Sequence, residues 1–189
     1  MTRYVRKVSL TGHNILNNHI ETTIDQVRAS HPEAIESVVH FREEPTLIVA
    51  ATYLLDVCNL LRFDSSLDYS LLVDIAAVDH YPNEPRFSLS YILHALEKNA
   101  RIRLQVKLPG KSPEVSSVTE CWKSAEWPER EAFDMMGINF VGHPDLRRIL
   151  MPADWDGHPL RKDYPLGYEE VQFSFNWEEI DSKKDYAKE

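Results

Sequence analysis

The sequence predicts an α+β fold: a mixed β-sheet with helices packed on one face, followed by an extended C-terminal arm. Three observations carry this reading. Apolar residues recur every three or four positions in two early stretches, the signature of amphipathic helices. Ile102, Leu104, Val106 and Leu108 instead alternate with Arg103, Gln105 and Lys107, the period of a half-buried strand. Beyond Pro128 both periods fade, and four of the six glycines and five of the eleven prolines fall within 128–167.

The elements follow in order. Asn17–Ser30 reads as a helix, with Ile20, Ile24 and Val27 on one stripe. His31-Pro32 stops it, because the residue before proline avoids the helical region. Glu36–Arg42 and Thr46–Ala51 read as two strands turning at Glu43-Glu44-Pro45. Tyr53–Phe63 carries Leu54, Val57, Leu60 and Leu61 on one face and predicts a second helix, with Cys58 a buried small hydrophobe. Tyr69–Val78 is apolar on both faces and predicts a buried central strand. Pro82 and Pro85 bracket a turn before the strands Phe87–Leu96 and Ile102–Leu108, whose hairpin tip is Lys98-Asn99-Ala100. Ser112-Pro113 is expected to open a helix reaching about Trp122. In Trp127–Gly137, Pro128 suits the first turn of a helix, Glu129 and Glu131 its positive start, and Gly137 its left-handed stop. Residues 1–127 are thus expected to form the globular domain, and 128–189 an arm with an acidic tail.

Composition narrows the function. With 189 residues, 43% hydrophobic, the chain suits one folded domain plus a tail. A net charge of −9 has the wrong sign for nucleic acid. The apolar runs are too short and too broken to span a bilayer, and the basic N-terminus lacks a secretory apolar core. Cys58 and Cys121 stand far apart, too few for an iron–sulfur cluster, which usually needs four thiolates. Phosphate and dinucleotide loops and the serine nucleophile elbow are missing.

The remaining candidates lie after Pro128. Glu131 and Asp134 share a helix face, and Arg130 stands four residues before Asp134; ion pairing and capping explain these better than acid–base chemistry. His143 and His158, with Asp145, Asp154, Asp156 and Asp163, invite a metal hypothesis. Their spacing is not that of a zinc site, and each histidine precedes a proline; the simpler reading has each imidazole bonded to a backbone group or carboxylate. Arg147-Arg148 and Arg161-Lys162 stand among aspartates and an apolar set that includes Leu150, Trp155, Leu160 and Tyr164. That mixture is typical of an interface core. The candidate partner interface therefore comprises Glu129, Arg130, Glu131, Asp134, His143, Arg147, Arg148, Trp155, His158, Arg161, Lys162, Asp163 and Tyr164. Phe173, Phe175 and Trp177 in the acidic tail are expected to dock as well.

An ordered string of unusual residue pairs runs through this segment: Glu129-Arg130-Glu131, Asp134, Gly137-Ile138, Phe140, Gly142-His143-Pro144, Leu146, Arg148, Pro152, Trp155 and Gly157 through Leu166. It resembles the thirty-kilodalton subunit family of respiratory complex I, the NADH–quinone oxidoreductase. Met136 departs from the pattern, where many relatives are aromatic. The resemblance implies a cofactor-free structural subunit of the peripheral arm, lying against the large subunit that shapes the quinone pocket. NADH, FMN, iron–sulfur clusters and quinone would belong to the parent enzyme, and no catalytic residue is expected here. It implies a place on the cytoplasmic side of a bacterial inner membrane, reached only through the complex. The rival readings are the equivalent subunit of a chloroplast-type or hydrogenase-type relative, and a stand-alone metal-dependent hydrolase.

Overall fold

The computed structural model describes residues 10–42, 44–165 and 175–183. Helix α1 spans Leu10–Ser30, and β1 (Ile35–Phe41) turns into β2 (Glu44–Val49). A 3-10 turn at Ala51–Tyr53 leads into α2 (Leu54–Phe63), followed by β3 (Leu71–Asp79), β4 (Phe87–Ala95) and β5 (Ala100–Leu108). A short β6 (Glu114–Ser116), α3 (Glu126–Met136), β7 (Asn139–Val141) and α4 (Trp177–Lys183) complete the described elements. The main sheet has the order β1-β2-β5-β4-β3. All its pairs are antiparallel except β2 with β5, so the sheet is mixed. Strands β6 and β7 form a separate parallel pair.

Alternation builds the core. In β5, Ile102, Leu104 and Val106 are fully buried while Arg101 and Lys107 are exposed. In β4, Leu89, Tyr91 and Leu93 point the same way. Ile24 and Val27 of α1 and Leu54, Val57, Cys58 and Leu61 of α2 join them in one buried cluster, covering that sheet face. Trp122 closes its end, donating its indole N–H to the Tyr69 carbonyl at 3.0 Å.

Three expectations are corrected. Helix α1 begins at Leu10 rather than Asn17. The strand read as central, β3, is the outermost in the sheet, and Leu71, Val73 and Val78 are exposed. Leu72 and Ile75 are buried in the core, so its hydrophobicity reports burial on one face only. The helix expected over 112–122 is replaced by β6 and turns. The reason is competition for backbone groups: Ser117 N–H donates to the Val141 carbonyl at 2.8 Å, and Val118 N–H to the Glu129 carboxylate at 2.8 Å. Partners from distant segments take the hydrogen bonds that a helix would use.

Substituting Leu104→Ala is expected to cost about 2–5 kcal/mol through lost burial and an unfilled cavity, read as a lower urea midpoint at unchanged slope.

Candidate functional site

The site is a ribbon, residues 142–165, folded against the C-terminal end of α3. That end needs partners, because the last four carbonyls of a helix have none within it. Gly137 adopts the left-handed conformation at φ 69° and returns its N–H to the Phe133 carbonyl at 2.8 Å. The following carbonyls are taken by the ribbon. His158 Nδ1–H donates to Asp134 O at 2.9 Å, Leu160 N–H to Met135 O at 3.0 Å, and Arg161 Nε–H to Met136 O at 2.7 Å. Arg161 also reaches Gly137 O at 3.3 Å, placing its charge at the negative helix end. A Cβ at position 137 would collide with His158 and Arg161, so that position has two independent reasons to be glycine.

Asp134 is the second anchor. Its carboxylate is fully buried; one oxygen accepts from Arg148 at 2.6 Å, the other from the N–H groups of Ile149, Leu150 and Met151 at 3.0, 2.8 and 2.9 Å. Burial alone would raise its pKa, but the donors at Met151, Arg148, Leu150 and Ile149 outweigh it and hold the group at about 2. Arg148 continues to the carbonyls of Trp155 and Gly157 at 2.9 and 3.0 Å, tying two turns of the ribbon together. Arg130 does not pair with Asp134. It donates instead to the carbonyls of Arg147 and Arg148 at 3.0 and 3.1 Å, beneath the Trp127 ring.

A third anchor joins the ribbon to the sheet. Arg86, at the start of β4, presents its guanidinium to Asp79 at 2.9 and 2.8 Å and to Asp163 at 2.9 and 2.5 Å. Asp79 also accepts from Lys162 N–H at 2.9 Å. The Arg86 fork pulls both carboxyls below their ordinary range, and they push the guanidinium up. Tyr164 covers Gly157 and donates its hydroxyl to Asp156 O at 3.3 Å.

Beneath the first turns of α3 lies a buried carboxyl, Glu129. It accepts from Ser117 Oγ at 2.6 Å and Val118 N–H at 2.8 Å. Burial is the larger influence and pushes it up to about 7, against those two bonds. His143 approaches it at 3.9 Å. Since His143 Nδ1 accepts from Asp145 N–H at 3.0 Å, its proton sits on Nε2 and donates to the Glu126 carbonyl at 3.1 Å. That hydrogen bond goes to the backbone, and the 3.9 Å approach to Glu129 is too long to be another. Both histidines read as metal candidates thus bond to backbone groups, and among the described residues no group of three or more His, Cys, Asp or Glu gathers at metal-binding distance.

Of the predicted interface residues, Glu129, Arg130 and Asp134 are buried inside the chain itself. His143, Arg148, His158, Arg161 and Tyr164 are half-buried in the anchors above. Glu131, Arg147, Trp155, Lys162 and Asp163 are exposed, Arg147 against Asp145 and Asp163 against Arg86. The proposed boundary at 127/128 falls within α3. Sequence reasoning missed Asp79, Arg86 and Ser117; the Arg86–Asp163 contact joins positions 77 apart, and no local pattern announces it. Of the tail aromatics, Phe173 lies outside the described residues, while Phe175 and Trp177 are exposed.

Two pH responses of opposite sign follow. Asp134 holds its proton more weakly when folded, so its stabilisation is complete above pH 3.8 and is lost as pH falls toward about 2. Glu129 holds its proton more tightly when folded; its stabilisation is complete below pH 4.5 and is lost as pH rises through about 7. Denaturation titrations should show Glu129→Gln flattening only the upper response. Asp134→Asn should lower stability at neutral pH by about 3–5 kcal/mol, because it leaves Arg148 without its buried counter-charge.

Residues 47–170 match the family described as respiratory-chain NADH dehydrogenase, 30 Kd subunit. The chain is 45% identical over 168 residues to the corresponding NADH-quinone oxidoreductase subunit of Roseiflexus sp. (strain RS-1), covering 89% of this chain and 97% of that protein. It is 46% identical over 134 residues to the same subunit of the Geobacter sulfurreducens enzyme, covering 70% of this chain and 82% of its relative. Among solved structures, the trypsin-resistant fragment of Nqo5 superposes with a TM-score of 0.58 at 25% identity, over 68% of this chain and 99% of the fragment. A family match over residues 47–170, a near full-length relative at 45% identity and a common α+β sheet lead to one conclusion: this chain belongs to the 30 kDa subunit family of respiratory-chain NADH dehydrogenase.

Proposed function

We propose that this chain is a non-catalytic, cofactor-free structural subunit in the peripheral arm of a proton-translocating NADH–quinone oxidoreductase, bracing the large subunit at the quinone site. The observation that carries the reading is how the ribbon divides its side chains. Arg148, His158, Arg161 and Asp163 are turned onto the chain's own helix end and sheet, while Leu150, Trp155 and Leu160 stand 61%, 41% and 55% exposed. Polar groups fixed from within and apolar groups facing outward suit a surface shaped before it meets a partner. The named acids and bases support backbone geometry, so NADH, FMN, iron–sulfur clusters and quinone are assigned to other subunits. No helix among the described residues is long and apolar enough to cross a membrane. As part of the same proposal, the chain attaches on the cytoplasmic side of the membrane, through its partners. Identity of 45% to an NADH-quinone oxidoreductase subunit favours that complex over a chloroplast-type or hydrogenase-type relative, and no observation favours a stand-alone hydrolase.

The test is purification of the complex with Trp155→Asp and Leu160→Asp introduced together. The expected result is a chain that folds with an unchanged melting midpoint yet is depleted from the complex, with quinone reduction falling in proportion. Full incorporation of the variant would overturn the reading, as would undiminished turnover by complexes that lack the chain.

A further inference from the structure

Strand β3 conflicts with its place in the fold. A strand apolar on both faces belongs in the middle of a covered sheet, and a long apolar edge invites pairing with another chain. Yet β3 is the outer strand, with Leu71, Val73 and Val78 exposed at 38%, 53% and 45%. Beside it runs a groove of about 340 Å³ between β3 and α3. Ala76 forms one side, Met135 and Met136 the other, and Leu160 of the ribbon contributes at one point of the lining. Methionine and alanine make a wall that adapts to varied side chains. The two charged residues of the lining, Asp74 and Glu131, are both acidic. Each is exposed, and no cation among the described residues pairs with either.

We propose that this groove is a second docking site, which takes an extended segment of a neighbouring subunit with lysine or arginine set among apolar residues. The inference rests on the assembly role above and deepens it by giving a partner chemistry to a face outside the ribbon. The outer edge of β3, which pairs with no strand among the described residues, selects an extended segment. Ala76 and Ala77 supply apolar area within the groove, Leu71, Val73 and Val78 add to it along the strand on either side of the lining, and the two carboxylates that no described cation pairs with select a cation and fix the register. Burial by such a segment also accounts for the composition of β3, which is that of an internal strand only when something lies outside it.

The experiment uses the full chain in the purified complex. The photo-crosslinking residue p-benzoylphenylalanine replaces Ala76, and the joined peptide is identified by mass spectrometry. In parallel, Asp74→Lys and Glu131→Lys are combined, and retention of the chain in the complex is measured. The expected result is a crosslink to a basic, non-helical stretch of another subunit. The charge-reversed chain should show about a tenfold or greater fall in retention, with its own melting midpoint unchanged. A crosslink to residues 166–189 of the same chain, to a second copy of it, or to nothing would overturn the proposal, as would full retention of the charge-reversed variant. A wild-type chain that did not co-purify with the complex would instead overturn the assembly role, so the two failures are distinguishable.

Discussion

The C-terminal end of α3 organises the ribbon of residues 142–165. A helix that stops in the protein interior leaves carbonyl oxygens that must be paired, and here one ribbon pairs them. His158, Leu160 and Arg161 take three successive carbonyls, while the Asp134 side chain, from the last turn of the same helix, gathers three backbone N–H groups and Arg148. Donors and acceptors are exchanged in both directions across one contact. The ribbon lacks regular secondary structure and still has a defined path, because its backbone groups find partners on the helix that a sheet or helix of its own would have supplied.

The arrangement turns the anchoring charges onto the chain itself. The carboxylates most strongly stabilised in ionised form, Asp79 and Asp134, each face an arginine and backbone N–H groups. Breaking such a buried pair is costly, although the complete pair contributes little net stability against an apolar alternative. Its value is therefore positional: it determines where the ribbon runs and which side chains remain outside. Among the apolar side chains, those are Leu150, Trp155 and Leu160, and Trp127 of α3 is exposed as well. Preorganisation of this kind lowers the ordering cost of association.

Glu129 performs the complementary task on the other side of α3. It holds Ser117 and Val118, and so directs the segment between β5 and α3 into turns and the short β6. Its raised pKa shows that desolvation outweighs its two hydrogen bonds. The carboxyl thus gives the segment its path at an electrostatic cost in the ionised form.

Much of the fold was legible because side-chain periodicity is a local property. The Ile20–Ile24–Val27 stripe, the α2 face, the β4–β5 hairpin and the Gly137 stop all stand where their spacing places them. The anchors were only half legible. Arg148, His158, Arg161 and Asp163 stand out in the sequence as an unusual charged set, but their partners do not, since Arg86 lies 77 positions from Asp163 and the rest are carbonyls that any residue carries. Residue types on their own suggested ions reaching out to a partner, whereas the fold turns most of them inward. The same limit governed 112–122 and β3: Val115, Val118, Cys121 and Trp122 have helical spacing, but long-range partners for the backbone overrule it, and the apolar run of β3 specifies a strand without saying which strands flank it. Sequence by itself determined most of the elements, the family and part of the anchoring set, Asp134, Arg148, His158, Arg161 and Asp163. Only the tertiary structure decided their pairings and the order of the sheet, because hydrogen bonds and strand neighbours join positions that local periodicity does not relate.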